Sequence, residues 1–241
     1  MPATCLSDVD TVVLAGGLGT RLRSLFPDRP KVLVPINGVP FLRHYLLWLR
    51  GFGARRVVLS LGHLAEQVQD YVKSEAWPDM EVESFVEATP LGTGGAVRAV
   101  LPLLRSATAL VTNGDSLTRV DLCQFVEFHR RQQARLTMVL THRPDVSQSG
   151  LVATATDGAV TSFQEKPSAP APAGGYINAG LYLLQREAIQ EIPADRPVSI
   201  EKDVFPGFCG RGFYAFKGEF PFIDIGTPES YQRAAEFFGR R

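Results

Sequence analysis

The chain has 241 residues, 45% hydrophobic and 21% charged, and its 25 basic residues balance its 25 acidic ones. That composition predicts a soluble globular protein with a sizeable core. Without an overall basic field, neither nucleic acid nor a membrane surface is the expected partner, and any cationic patch must be local.

The first ten residues carry Asp8 and Asp10 and lack an apolar core, so they do not read as a signal peptide; no run is long enough to cross a bilayer. Cys5, Cys123 and Cys209 are odd in number and far apart. They predict neither a zinc site nor a disulfide framework, but three ordinary residues in a reducing, cytoplasmic setting.

Residues 11–15 form a short apolar, β-branched run that reads as a buried strand of a parallel sheet. Gly16, Gly17 and Gly19 then free the backbone to turn tightly, and successive N–H groups in such a turn can face phosphate oxygens. Arg21 adds a forked guanidinium and Lys31 a point charge. A dinucleotide fingerprint does not fit, because its third glycine would fall at Leu22; a P-loop fails for want of a following Gly-Lys-Ser or Gly-Lys-Thr.

Phe41, Tyr45, Trp48 and Leu49 recur at helical spacing. A strand is predicted over 56–61, a helix over 64–73, a strand over 80–86, a helix over 93–104 and a strand over 107–112. This alternation implies an α/β fold with a doubly wound, mostly parallel sheet, whose ligands sit outside the carboxyl ends of the strands. Residues 16–21, 87–95 and 113–115 all fall at such ends, so one crevice can gather them. The second half reads as a helix over 121–133, strands over 136–141, 151–155, 160–163 and 176–184, a Pro/Ala-rich loop over 168–175, and a terminal helix over 228–238. One domain spanning 1–241 is expected, the second half extending the same sheet.

Four motifs carry chemistry. In Thr112-Asn113-Gly114-Asp115 a strand ends in a carboxylate, either a Mg²⁺ ligand or a turn Asp capping its own backbone. Asp224, in Phe222-Ile223-Asp224-Ile225-Gly226-Thr227-Pro228, sits in an apolar run where an unpaired charge is costly and a metal would offset the cost. Thr227 reads as a helix N-cap with Pro228 at the first helical position. Glu87 opens Glu87-Ala88-Thr89-Pro90-Leu91-Gly92-Thr93-Gly94-Gly95-Ala96. A carboxylate only accepts hydrogen bonds, so it can pair bidentately with guanine N1–H and 2-amino; the plain alternative is an exposed strand-end charge. In Phe163-Gln164-Glu165-Lys166-Pro167, Lys166 can hold a phosphate and Glu165 can accept from hydroxyls, or the two form a solvated ion pair. His44, His63, His129 and His142 have no metal spacing.

The run Leu14-Ala15-Gly16-Gly17-Leu18-Gly19-Thr20-Arg21-Leu22, followed by Pro30-Lys31-Val32-Leu33-Val34-Pro35, resembles the signature of the sugar-1-phosphate nucleotidylyltransferases; the family usually has Lys-Pro where this chain has Lys31-Val32. The resemblance extends from Val12 to about Tyr231. It implies a Rossmann-like, three-layer α/β/α nucleotidyltransferase fold with a small sugar-binding lobe. Residues from about 11–135 would form the nucleotide-binding half and about 136–241 the sugar-binding half. It further implies Mg²⁺ on Asp115 and Asp224, and nucleotide contacts from Leu14, Ala15, Gly16, Gly17, Gly19, Thr20, Arg21, Glu87, Gly92, Thr93, Asn113 and Asp115. Sugar-phosphate contacts would come from Gly150, Glu165, Lys166, Asn178 and Asp224. Arg21, Lys31, Asp115, Lys166 and Asp224 would carry catalysis by positioning and charge neutralisation, because the attacking phosphate is already an anion.

Ser149-Gly150 stands where the family often has Tyr-Gly. Ser199-Ile200-Glu201-Lys202-Asp203 resembles a family segment near the acceptor, and Arg196 just before it could meet a phosphate. Within the family the chain most resembles the D-glycero-D-manno-heptose 1-phosphate guanylyltransferases, through residues 35–42, 90–96, 113–115 and 177–180. GTP and a heptose 1-phosphate are then the expected substrates. Mannose-1-phosphate guanylyltransferase and N-acetylmuramate-1-phosphate uridylyltransferase are the rivals inside the family. A choline-phosphate cytidylyltransferase and a catalytically silent nucleotide-sugar-binding regulatory subunit are the rivals beyond it. A homo-oligomer is compatible with this reading.

Overall fold

In the computed structural model, which describes residues 4–17, 19–144, 146, 150–165 and 174–239, strand β1 (Asp10–Ala15) lies inside a seven-stranded sheet. Lys166, Leu18, Ser149, Pro167 and most of the 168–175 loop lie outside the described residues.

After β1 come a short hairpin of β2 (Pro35–Ile36) and β3 (Val39–Pro40), then α1 (Phe41–Gly51), β4 (Arg56–Leu61), α2 (Ala65–Ser74), β5 (Glu81–Val86), α3 (Gly92–Ala99) and β6 (Thr108–Asn113). The chain continues through β7 (Ser116–Thr118), α4 (Leu122–Arg131), β8 (Leu136–Arg143), β9 (Leu151–Thr154), β10 (Val160–Gln164), β11 (Gly175–Gln185) and α5 (Arg186–Gln190). It ends with α6 (Phe205–Phe208), β12 (Phe213–Gly218), β13 (Phe222–Asp224) and α7 (Pro228–Gly239). The strand order is β12-β8-β11-β6-β1-β4-β5. Neighbours pair in parallel except β11, which runs antiparallel to both β6 and β8.

The strands alternate faces as their period of two requires. Val13, Leu59 and Leu110 pack on one side with α1, α4 and α7, while Val12, Val58 and Val111 pack on the other with α3, α5 and α6. Two cores on either side of one sheet make the expected three-layer α/β/α arrangement. Capping fixes where helices begin. Asp121 Oδ1 accepts from the N–H groups of Cys123 (2.9 Å) and Gln124 (3.1 Å) to start α4, worth about 1 kcal/mol. Thr227 Oγ1 accepts from Ser230 N–H at 3.2 Å, so the cap expected before Pro228 is present.

Two features depart from the sequence reading. Residues 213–218 form an edge strand parallel to β8, and β7 pairs with β13 far along the chain; none of these three strands was expected. The cysteine expectation is corrected: Cys5 and Cys123 form a disulfide across 118 residues, leaving Cys209 free. The same N-terminal segment is tied to α4 a second time, where Arg130 Nη2 donates to Asp8 Oδ2 at 2.8 Å. Among the described residues, no helix is long and apolar enough to cross a membrane.

Candidate functional site

A cleft of about 640 Å³ opens at the carboxyl ends of β1, β4, β5 and β6. It is lined by every nucleotide-contact residue expected from the sequence: Leu14, Ala15, Gly16, Gly17, Gly19, Thr20, Arg21, Glu87, Gly92, Thr93, Asn113 and Asp115. Lys31 and Gly226 line it as well.

The strand-end loops are packed closely. A side chain on Gly62, just after β4, would come within 2.8 Å of Gly16 O, and one on Gly16 within 2.9 Å of Glu87 Oε1. Gly62 must therefore lack a Cβ for the ends of β1 and β4 to meet, while a Cβ at Gly16 would displace the Glu87 carboxylate. Glu87 is held by the chain itself: Oε1 accepts from Ser60 Oγ and Oε2 from Leu91 N–H, each at 3.0 Å. These bonds fix the carboxylate at the head of the 88–91 loop that leads into α3, and each oxygen keeps a further lone pair for a donor in the cleft.

Lys31 Nζ lies 2.6 Å from Asp115 Oδ2 and 3.7 Å from Asp224 Oδ1. Asp224 Oδ1 also accepts from Gly226 N–H. A side chain on Gly226 would meet Asp224 Oδ1 at 2.7 Å, Lys31 Nζ at 3.1 Å and Arg21 Nη2 at 3.2 Å. Two carboxylates and two cations thus converge beside the glycine turn. Burial, and then the charge of Asp115, raise the Asp224 carboxyl above the usual range, while Lys31, the Gly226 N–H and Arg21 pull it down. Two hard oxygen donors placed side by side next to a glycine turn suit a hard divalent cation that keeps other oxygen ligands for itself. Among the described residues, no cluster of three or more His, Cys, Asp or Glu side chains is arranged for a metal.

Gly150, Glu165 and Asn178 do not line this cleft. Gly150 and Glu165 are neighbours, since a side chain on Gly150 would stand 3.1 Å from Glu165 Oε2. Asn178 sits where the β11 register shifts; its Oδ1 accepts from Gly180 N–H at 3.0 Å and its Nδ2 donates to Tyr182 Oη at 2.8 Å. Asn178 thereby shapes the bulge that brings Gly180 against Asn113. Lys166 cannot be placed, lying outside the described residues. Gly62 and His63 line the cleft without having been expected. The available signal was a glycine directly after an apolar strand, the same pattern that marked Gly16.

Residues 10–241 match the family described as Nucleotidyl transferase. A mannose-1-phosphate guanylyltransferase of Mycobacterium tuberculosis is 37% identical over 230 residues, covering 94% of this chain and 64% of that protein, so the chain spans less than two thirds of that relative. A D-glycero-alpha-D-manno-heptose 1-phosphate guanylyltransferase of Aneurinibacillus thermoaerophilus is 33% identical over 228 residues, covering 94% and 96%. The crystal structure of HddC from Yersinia pseudotuberculosis superposes with a TM-score of 0.84 at 36% identity, covering 95% of this chain and 99% of that one. HddC has also been solved complexed with GMP-PN, and that structure superposes with a TM-score of 0.83.

Proposed function

The chain belongs to the nucleotidyl transferase family, and from that membership we propose that it transfers GMP from GTP to a sugar 1-phosphate, D-glycero-D-manno-heptose 1-phosphate, giving GDP-sugar and pyrophosphate. The observation that carries this reading is that Arg21, Lys31, Asp115 and Glu87 line one cleft beside a glycine turn, with Asp224 brought against its edge by Lys31 and Gly226. Relatives named as heptose and mannose 1-phosphate guanylyltransferases support GTP as donor. The 37% identity to the mycobacterial protein makes mannose 1-phosphate the second acceptor to test.

An oxygen of the acceptor phosphate attacks the α-phosphorus in line. The new P–O bond forms as the bond to the β-phosphate oxygen breaks, and pyrophosphate leaves with that electron pair. No protein base is required, since the attacking oxygen carries no proton to remove. The glycine turn and Arg21 hold the leaving pyrophosphate, and Lys31 offsets charge at the reacting centre. Glu87 accepts from guanine N1–H and the 2-amino group, which uracil and thymine cannot both supply. Glu165 and Asn178, with Lys166, hold the acceptor. Asp115 and Asp224 would hold Mg²⁺, which supplies neutralisation of the reacting phosphates when bound. A nucleoside triphosphate donor supports a cytoplasmic setting for the reaction.

The test crosses GTP, UTP, CTP and dTTP with heptose, mannose, glucose and N-acetylmuramate 1-phosphates, reading pyrophosphate and nucleotide sugar. GTP with heptose 1-phosphate should be the best pair. Preference for another base removes the role of Glu87, and no pyrophosphate from any pair leaves only a nucleotide-binding protein.

A further inference from the structure

The stretch 198–205 touches both halves of the site without a part in the chemistry above. Val198 N–H donates to Leu91 O at 2.8 Å, and Val198 O accepts from the N–H groups of Gly94 (2.8 Å) and Gly95 (3.2 Å). Gly92 has φ +73°, and any side chain there would fall 2.5 Å from Val198 O, so the base loop, residues 88–91 with the first turn of α3, lies directly on this stretch and needs glycine to do so.

Side chains extend the contact. Thr93 Oγ1 donates to Glu201 Oε2 at 3.0 Å and accepts from Ile200 N–H at 2.9 Å. Ser199 Oγ donates to the same carboxylate oxygen at 3.1 Å. Hydrogen bonds to an ionised carboxylate are roughly twice as strong as neutral ones, so Glu201 is the firmest of these ties. The backbone then winds through a π-helical turn, Ile200–Val204, in which Phe205 N–H reaches Ile200 O. Such turns recur at functional sites.

That turn delivers Phe205 against Phe163 of β10 and Tyr182 of β11, ring centroids 5.1 Å away in each case. Phe163 shortly precedes Glu165, and Tyr182 Oη accepts from Asn178 Nδ2. Tyr182 is fully buried; burial, with the charges of Glu201, Glu165 and Asp115, keeps its phenol protonated. A packed path therefore runs from Thr93, in the base loop, to Tyr182 with its partner Asn178 and to Phe163, two residues before Glu165; Asn178 and Glu165 are the expected acceptor contacts.

We propose that residues 198–205 couple nucleotide occupancy of the base loop to the acceptor site, with Glu201 as the positioning residue that locks the two together. This rests on the proposed transferase reading and adds to it a physical link between the two substrates. Linkage makes the effect reciprocal: an acceptor held through this path tightens the nucleotide by the same factor.

The experiment is isothermal titration of α,β-methylene-GTP in Mg²⁺, with and without saturating heptose or mannose 1-phosphate, on the full chain and its variants. The wild type should show tightening of about fivefold or more. Glu201→Ala should lose it to within about twofold, and Glu201→Gln, whose amide oxygen still accepts from both hydroxyls, should retain it. Should Glu201→Ala fold poorly by circular dichroism, Thr93→Val removes the donor at equal size and must abolish the tightening likewise. A purely structural role would lower the melting temperature while leaving the tightening intact, and that result overturns the proposal. So does a wild type whose nucleotide affinity ignores the acceptor while product still forms. A wild type that forms no nucleotide sugar overturns the transferase reading first, in a separate assay.

Discussion

The carbonyl oxygen of Asp115 accepts a hydrogen bond from Ile225 N–H at 2.9 Å. One residue on in each direction, Asp224 pairs in register with Ser116. The small β7–β13 ribbon therefore holds the two carboxylates of the site together through backbone, independently of any ion.

Because burial and Asp115 raise the Asp224 carboxyl, its ionisation works against the fold. Its contribution to stability is greatest while it is protonated and is lost as pH climbs through its raised folded value. Asp224→Asn should thus melt higher than wild type at pH 7 in chelator, while kcat falls roughly 100-fold or more. Asp115→Asn should lose comparable activity but melt lower, since it gives up the 2.6 Å pairing with Lys31. Melting curves and pyrophosphate release on the same two variants check both statements.

His129 lies buried in α4, where its Nδ1 is 2.7 Å from Thr137 Oγ1 and its Nε2 is 3.1 Å from Gln185 Nε2. Thr108 Oγ1 donates to Gln185 Oε1, which orients the amide so that it donates to Nε2 and leaves the proton on Nδ1. Burial, with help from Arg130, pushes the ring down to about 4. A neutral native ring means stability is full above the ordinary histidine value of about 6.5 and drains as pH falls toward about 4, worth roughly 3 kcal/mol. Urea unfolding at pH 7, 5.5 and 4 should show this loss, and His129→Gln should flatten it.

The disulfide closes a loop of 118 residues, and neither Cys5 nor Cys123 lines the cleft. Cys5→Ser should cost about 2–4 kcal/mol in unfolding free energy and leave kcat at 25 °C within about twofold. Dithiothreitol on the wild type should reproduce the shift, and Cys209→Ser should not.

Gly62→Ala places a methyl against Gly16 O at a nominal 2.8 Å. Forcing apart the β1 and β4 ends costs about 1–3 kcal/mol, so nucleotide affinity should fall about tenfold or more while the acceptor side keeps its contacts. Titration with GTP reads it directly.

Glu87→Gln keeps an oxygen for Leu91 N–H but turns N–H donors toward a base edge that itself offers only donors. GTP should lose about 100-fold in kcat/KM and its lead over UTP should shrink. An unchanged base preference would move guanine recognition elsewhere in the loop.

Much of this was legible in local pattern. β1, β4 and β6 are short, mostly apolar runs of the kind a parallel sheet buries on both faces, α1 carries its stripe at helical spacing, and the glycine turn with Arg21 is one local motif with Lys31 ten residues on. What escaped depends on distant partners. Residues 213–218 become a strand because β8 lies beside them, and Ser116 and Asp224 pair although far apart in sequence. Nothing near Cys5 announces Cys123. Gly62 follows an apolar strand as Gly16 does, but what it contributes, a close approach to Gly16 O, depends on a partner far along the chain. Glu201 resembled an acceptor segment in sequence, but its bond to Thr93 exists only in three dimensions.

The reversed direction of β11 has a consequence for how such a fold can diversify. Its beginning, rather than its end, arrives at the rim where the parallel neighbours finish. A change of chain length ahead of Gly175 would therefore leave the pairing of β11 with β6, and with it the parallel strand ends that line the cleft, in register.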